Sequence, residues 1–168
     1  MPKVVYSDSK GLVQEAGSGF SFVTGTLADK VGLHLYQEEV TLTAVVADKV
    51  TGLLSKKLPA NCIILQSSLT TSSAGTSGLI ELRYHTSLPS INGNIVGTLI
   101  LGDEENNCIP DADLNVNTAG KTVINLTPKD VTNKQFLFLT SNVGANVVGT
   151  PKVLVSILYA GKGEPETI

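Results

Sequence analysis

Few side chains in this sequence combine the residue type and the spacing that catalysis needs. The two histidines, His34 and His85, each alternate with apolar neighbours in a stretch that predicts a β-strand. A general base must lie within hydrogen-bond reach of the proton that it abstracts, and no G-x-S-x-G nucleophile elbow accompanies either histidine. We therefore expect both histidines on the outer faces of strands, and we predict that the protein is not an enzyme.

One acidic stretch offers the best candidate for a metal site. Carboxylates are hard oxygen ligands of the kind that Ca²⁺ takes. Their spacing here matches no EF-hand loop, so a solvated acidic loop is the favoured interpretation, and we predict neither a metal nor a cofactor. The carboxylates are Asp103, Glu104, Glu105, Asp111 and Asp113.

The cysteines and a fragment of a phosphate loop are no more specific. Cys62 lies in the apolar run CIIL and is predicted to be a buried thiol. Two cysteines are too few for a disulfide framework. A single disulfide between Cys62 and Cys108 stays an alternative to the free thiol. Gly120–Thr122 ends like a phosphate loop, but position 115 is Asn where the upstream glycine should be, and the segment leads into a strand. A turn is the better interpretation.

Composition excludes several classes of function. The chain has 168 residues, a net charge of −3 and a single arginine, Arg83, so the basic stripe of a nucleic-acid binder is missing. No apolar run approaches the roughly 18 residues of a membrane helix, and the first residues lack the apolar core of a signal peptide. Only 16% of residues are charged, against about 25% in ordinary soluble domains, which points to an assembled state.

The fold class follows from alternating strands. Between Gly78 and Gly102, Ile80, Leu82 and Tyr84 alternate with polar residues and lead to the turn residues Asn92-Gly93, which predicts a β-hairpin. About eight or nine such strands recur, and 47–59 holds the one plausible helical turn, with a loop as its alternative. We predict an all-β antiparallel sandwich that is jelly-roll-like, with an immunoglobulin-like sandwich as second choice.

Three segments divide the chain. Residues 1–19 read as an extended N-terminal arm that ends in the flexible Gly17-Ser18-Gly19, 20–162 as the sandwich domain, and 163–168 as a polar, frayed tail. The arm carries apolar residues that would dock on this domain or on a neighbouring subunit. These candidate subunit-binding residues are Val4, Val5, Tyr6, Leu12 and Val13.

The opening MPKVVYSDSKGLVQEAGSGF, followed by a charge-poor β body over Phe20 to Ala160, resembles the small decoration, or cement, proteins of tailed-bacteriophage heads. The resemblance implies a homo-oligomer, with a trimer favoured, on the outer surface of the capsid. It implies the major capsid protein as partner, a virion location after synthesis in the host cytoplasm, and no nucleic-acid or membrane partner. The arm would add a strand to a neighbour's open sheet edge.

Two other functions remain in view. The first is a glycan- or receptor-binding module of a head or tail fibre, for which Tyr36, Tyr84 and Tyr159 are the candidate aromatic platform. The second is a major coat protein of jelly-roll type that assembles a shell alone.

Overall fold

The computed structural model describes residues 32–102, 113–142 and 144–168, together with two N-terminal strands. This part of the chain holds no helix and thirteen strands. None of it contains a helix that is long and apolar enough to cross a membrane. The strands are Val4–Ser7 (β1), Gly11–Gln14 (β2), Gly32–Thr41 (β3), Val50–Leu58 (β4), Cys62–Ser73 (β5), Leu79–His85 (β6), Thr98–Leu101 (β7), Leu114–Asn115 (β8), Thr122–Asn125 (β9), Lys129–Val131 (β10), Gln135–Ser141 (β11), Lys152–Gly161 (β12) and Glu166–Thr167 (β13).

Two antiparallel sheets form the sandwich. The five-stranded sheet has the order β10-β5-β12-β3, with β9 also on β5, and the six-stranded sheet has the order β13-β4-β11-β6-β7, with β8 also on β6. Strands β3 to β6 alternate between the two sheets along the chain, and the last long strand, β12, lies between β3 and β5. This is the connectivity of a jelly roll, so the predicted all-β sandwich is confirmed.

The core lies between the sheets and follows strand alternation. On β12, Val153, Val155, Ile157 and Tyr159 are fully buried, whereas the residues between them are half-buried. Ile80 and Leu82 of β6 and their neighbours on β11 face this layer from the other sheet. The alternation of Ile80, Leu82 and Tyr84 with polar residues in the sequence predicted β6.

The predicted hairpin between Gly78 and Gly102 exists, but its second strand is shorter than expected. Strand β7 begins at Thr98, and β6 pairs with it from Tyr84↔Thr98 to Leu82↔Leu101. Asn92 has a positive φ of 61°, and the Gly93 N–H donates to the Ser90 carbonyl at 2.9 Å, as the turn chemistry predicted. The connection 86–97 is long because it bonds to a different strand, β4.

The predicted helical turn within 47–59 is wrong, because these residues form β4. Between Phe136↔Lys57 and Phe138↔Leu53, two residues of β11 oppose four of β4, which marks a β-bulge. The buried Leu54 and Leu58 fall at a spacing of four, which one face of a strand and one face of a helix both allow. That spacing imitates an amphipathic helix in the sequence.

The two ends of the chain also hold strands. In the tail expected to be frayed, β13 pairs with β4, and the Ile168 N–H donates to the Ser55 carbonyl at 3.0 Å. At the N-terminus β1 and β2 pair with each other and form a separate two-stranded sheet. The first residues of the predicted sandwich domain, 20–31, lie outside the described residues.

Candidate functional site

The predicted binding residues of the arm lie on the two paired N-terminal strands. Val4, Val5 and Tyr6 belong to β1, and Leu12 and Val13 belong to β2. The register sets Val5 opposite Val13 and Tyr6 opposite Leu12. The arm is therefore a hairpin over part of its length, not a single extended strand.

An apolar surface, the L33 face, lies at one end of the outside of the five-stranded sheet. Leu33 is 71% exposed and Leu35 is 61% exposed on β3. The register places Leu33 beside Ala160 and Leu35 beside Leu158 on β12, and Ile63 of β5, 42% exposed, extends the first row. These side chains point away from the core, so they offer a contact surface that the sandwich itself does not use.

The edge of the same sheet is open at β3. Strand β3 pairs with β12 over all ten of its residues without a register shift. Among the described residues, no further strand pairs with the other edge of β3. Such an edge presents a row of free backbone donors and acceptors to a partner.

The outside of the six-stranded sheet carries a buried ion pair. Glu81 of β6 is 1% exposed, and its Oε2 accepts from Arg83 Nη2 at 2.8 Å and from Arg83 Nε at 3.0 Å. Thr140 of β11 lies opposite Glu81 and donates its hydroxyl to the same oxygen at 3.2 Å. These groups lie on the face of β6 opposite to the core residues Ile80 and Leu82.

Burial dominates the electrostatics of this carboxyl. Removal from water raises the pKa of Glu81 above its usual range, and the charge of Asp113 acts in the same direction. The Arg83 guanidinium and the Thr140 hydroxyl act against that rise. The net effect is a raised pKa, so Glu81 holds its proton more tightly in the folded protein than in water.

Backbone segments cover this polar face. The connection 86–97 leaves β6 and bonds to β4, where the Asn92 N–H donates to the Val50 carbonyl at 2.8 Å and the Val50 N–H donates to the Gly93 carbonyl at 3.0 Å. Because β11 lies between β4 and β6, the connection passes over β11. Gly102 lies directly on the stem of Glu81, since a Cβ there would come within 2.8 Å of Glu81 Cγ.

The nearest approach to a catalytic cluster surrounds His34. Its Nδ1 lies 3.0 Å from Glu164 Oε1, and its ring stacks on Tyr159 with a centroid separation of 5.1 Å. The expectation that His34 lies on an outer face is wrong, because it shares the inner face of β3 with the buried Tyr36. Burial raises the pKa of the nearby Cys62 thiol to about 11, so this thiol stays protonated and is no nucleophile at neutral pH.

The other predicted candidates resolve as follows. His85 lies on the outer face of β6, as predicted, and its Nδ1 accepts from the Ser87 N–H at 3.1 Å. Cys62 is a free, buried thiol, which confirms its assignment, and Cys108 lies outside the described residues. Gly120 has a φ of +82° and ends a turn that leads into β9, which confirms the turn at the end of the phosphate-loop fragment.

The tyrosines proposed as a sugar platform are not on the surface. Tyr159 is fully buried, and Tyr36 is 5% exposed with its hydroxyl donating to the Glu38 carboxylate. Tyr84 is half-buried and packs against the core. An aromatic platform needs an accessible ring face, so these residues do not form one.

Most of the acidic stretch lies outside the described residues, which begin again at Asp113. There the Asn142 side-chain amide donates to the Asp113 carboxylate. Across 32–102, 113–142 and 144–168, no three His, Cys, Asp or Glu side chains come close enough together to hold a metal ion.

Sequence reasoning missed both the L33 face and the buried ion pair. The leucines at alternate positions of β3 suggested a row of side chains that faces the core, whereas in the structure these side chains are exposed on the outer face. The sequence contained one weak indication that Glu81 takes part in an ion pair. The single arginine of the chain lies two residues away, where strand alternation puts both side chains on one face.

Comparisons with known proteins give little similarity. No protein-family model matches the sequence, and no curated protein matches it. Among solved structures the chain is similar to a chain from the structure of infectious bursal disease virus, Gx strain, with 12% identity and a TM-score of 0.31. The match covers 99% of this chain and 47% of the viral chain, so this chain spans about half the length of that protein. The similarity is to a viral protein, and a TM-score this low carries no argument about function.

Proposed function

We propose that the protein is a structural virion protein of the decoration type. It binds the outer surface of a phage head as a small oligomer and stabilises the lattice of the major capsid protein. The observation that carries this proposal is the separate N-terminal sheet: β1 and β2 pair with each other and belong to neither sheet of the sandwich. The described part of the chain thus consists of a sandwich body and a separate two-stranded hairpin.

The physics of a hairpin supports a role in attachment. An isolated two-stranded sheet is at best marginally stable in water, and its open edges can pair with a partner's sheet through main-chain hydrogen bonds. Because β1 and β2 pair with neither sheet of the sandwich, the hairpin keeps these edges for a partner subunit.

Binding that exists only in the assembled shell stabilises that shell by mass action. Jelly rolls occur in viral capsid proteins and in lectins, and a fold by itself does not decide between such functions. The buried tyrosines weigh against the glycan-binding alternative, because no open aromatic platform remains among Tyr36, Tyr84 and Tyr159.

Cosedimentation with empty, expanded heads of the phage that carries the chain tests the proposal. Tyr6→Asp combined with Val13→Asp places two charges on the hairpin, and we expect this variant to lose attachment while its thermal unfolding matches that of the wild type. Val46→Asp, at an exposed residue of the body, is the control that should attach normally. Deletion of residues 1–19 should likewise abolish attachment and leave a folded body. Wild-type protein that fails to sediment with the heads, or an arm variant that attaches fully, would overturn the proposal.

A further inference from the structure

We infer that two copies of this chain pair edge to edge through β3, in antiparallel orientation about a two-fold axis at Leu35. The second copy extends the sheet in its own plane and does not stack on its outer face. The five-stranded sheets of the two copies then form one continuous sheet. This inference does not rest on attachment to a phage head.

The register of β3 fixes which of its backbone groups face the open edge. The Leu42 N–H donates to the Pro151 carbonyl at 2.8 Å, and this pair continues the register in which Thr41 lies opposite Lys152. Along an antiparallel strand, residues that bond to one neighbour alternate with residues whose groups point the other way. The even-numbered residues of β3 therefore bond to β12. The residues whose N–H and C=O groups point to the open edge are Leu33, Leu35, Gln37, Glu39 and Thr41.

The edges of the other sheet are capped by groups from elsewhere in the chain. At β7 the Asn125 side-chain amide donates to the Ile100 carbonyl at 2.6 Å. At β4 the Ser55 N–H donates to the Glu38 carboxylate at 3.0 Å, and the Ser55 carbonyl accepts from the Ile168 N–H at 3.0 Å. In the part of the chain that the structure describes, no strand covers the ten-residue edge of β3. A long bare edge favours pairing with another strand.

The charges along β3 are compatible with a second β3 in antiparallel orientation. Both carboxylates of the strand, Glu38 and Glu39, lie in its second half, and the first half carries no acidic residue. Pairing about Leu35 sets Glu38 opposite the partner's Gly32, so no carboxylate lies opposite another. Parallel pairing would bring the acidic halves together, and like charges on neighbouring strands are destabilising.

The exposed leucines select the register. With Leu35 on the axis, the two Leu35 side chains form a direct cross-strand pair, in which the Cβ atoms lie about 5 Å apart. The L33 faces of the two copies then become neighbours on one side of the continuous sheet. Registers centred on Tyr36 or Gln37 would set Leu35 opposite the partner's Gln37 or Glu39, where it gains no apolar contact.

The outward backbone groups satisfy one another in this register. Leu35 pairs with its counterpart, and Leu33 and Gln37 pair with the partner's Gln37 and Leu33. All three are outward-facing positions, so each pair exchanges two N–H···O bonds, as hydrogen-bonded pairs of an antiparallel ladder do. The edge from Leu33 to Gln37 is then fully paired without any change in the sandwich.

Single cysteines test both the pairing and its register. Opposed residues of a hydrogen-bonded pair have Cα atoms about 5.5 Å apart, within the range of a disulfide. Under mild oxidation we expect Leu35→Cys to form a covalent dimer, detected by non-reducing electrophoresis and by mass spectrometry of the linked peptide. Leu33→Cys is the matched control, because its two copies would lie roughly 13 Å apart along the strands. The wild type, which carries Cys62 and Cys108, gives the background.

Light scattering of the full-length protein over a concentration series tests the pairing without a cross-link. We expect the wild type to reach twice the 17.6 kDa of one chain. Leu35→Pro removes an outward N–H, a change that an edge strand tolerates, and this variant should be a monomer. In that monomer the Leu33 and Gln37 amides should exchange rapidly with solvent, whereas the His34 and Tyr36 amides, which bond to β12, should stay protected.

Three results would overturn the inference. The first is a wild-type protein that stays a monomer or forms a trimer across the series. The second is cross-linking of Leu33→Cys as complete as that of Leu35→Cys. The third is slow exchange of the Leu33 and Gln37 amides in the monomer, which would show that the same chain covers the edge. None of these measurements uses phage heads, so their failure is distinct from a failure of the proposed attachment.

Discussion

The outer faces of the two sheets reverse the usual relation between residue type and exposure. On the five-stranded sheet the outer face presents Leu33 and Leu35 to solvent. On the six-stranded sheet it presents Glu81 and Thr140, and both are buried. Exposure is decided by what lies over a strand: the connection 86–97 and Gly102 cover the polar face, whereas Leu33 and Leu35 stay exposed.

The largest expected effect comes from removing the arginine of the covered face. Arg83→Met leaves the buried Glu81 without its cation, and we expect unfolding in urea at neutral pH to show a loss of about 3 to 5 kcal/mol. The loss should shrink at low pH, where Glu81 is protonated. The control is the double variant Arg83→Met with Glu81→Gln, which leaves no buried charge and should recover much of the stability. An effect below about 1 kcal/mol would mean that the face is open to water.

The close cover over Glu81 gives the next effect. Gly102 has a φ of +147°, and a Cβ there would lie 2.8 Å from Glu81 Cγ and 3.0 Å from Leu99 Cδ1. We expect Gly102→Ala to cost about 1 to 3 kcal/mol, through strain and overpacking. A matched substitution on the other sheet, Ala160→Ser, should be neutral by the same urea titration. Equal costs at both positions would remove the contrast between the faces.

A smaller effect is a pH dependence that arises from the raised pKa of Glu81 on the covered face. A carboxyl whose pKa is raised by folding binds its proton more tightly in the folded state. The stabilisation from Glu81 is therefore complete below its unfolded pKa of about 4.3 and is lost as the pH rises through its raised folded pKa. Glu81→Gln should flatten this part of the stability profile. A profile that is unchanged in Glu81→Gln would assign the slope to other carboxyls.

The smallest effect is expected on the open face. Ser156→Ala removes the hydrogen bond from Gln37 Nε2 to Ser156 Oγ, which is 3.0 Å long and exposed. Thermal unfolding should stay within about 0.5 kcal/mol of the wild type, the range of ordinary surface substitutions. A loss above about 1 kcal/mol would show that this face is already buried.

The sequence predicted the parts of the fold that depend on strict alternation. Strands β6 and β12 and the turn at Asn92 follow local rules, and the structure confirms them. The apolar residues of β4 also fit the spacing of a helix, so this strand looked helical in the sequence. The second strand of the hairpin starts late because the residues after Asn92 bond to β4, and no local pattern encodes such a distant partner.

The candidate sites were harder to predict for the same reason. Leu35 faces outward because the buried Tyr36 and Val40 determine which alternate residues of β3 face the core. Whether Glu81 is buried depends on backbone segments that cross the sheet from elsewhere. Side-chain type alone favours the opposite answer in both cases.

The buried thiol of Cys62 has a practical consequence for experiments. A Cβ placed on Gly161 would come within 2.5 Å of Cys62 Cβ, so the last residue of β12 closes over this cysteine. Its high pKa slows alkylation further, because only the thiolate reacts. The rate at which a thiol reagent modifies Cys62, measured by peptide mapping, therefore reports how often β12 separates from β5.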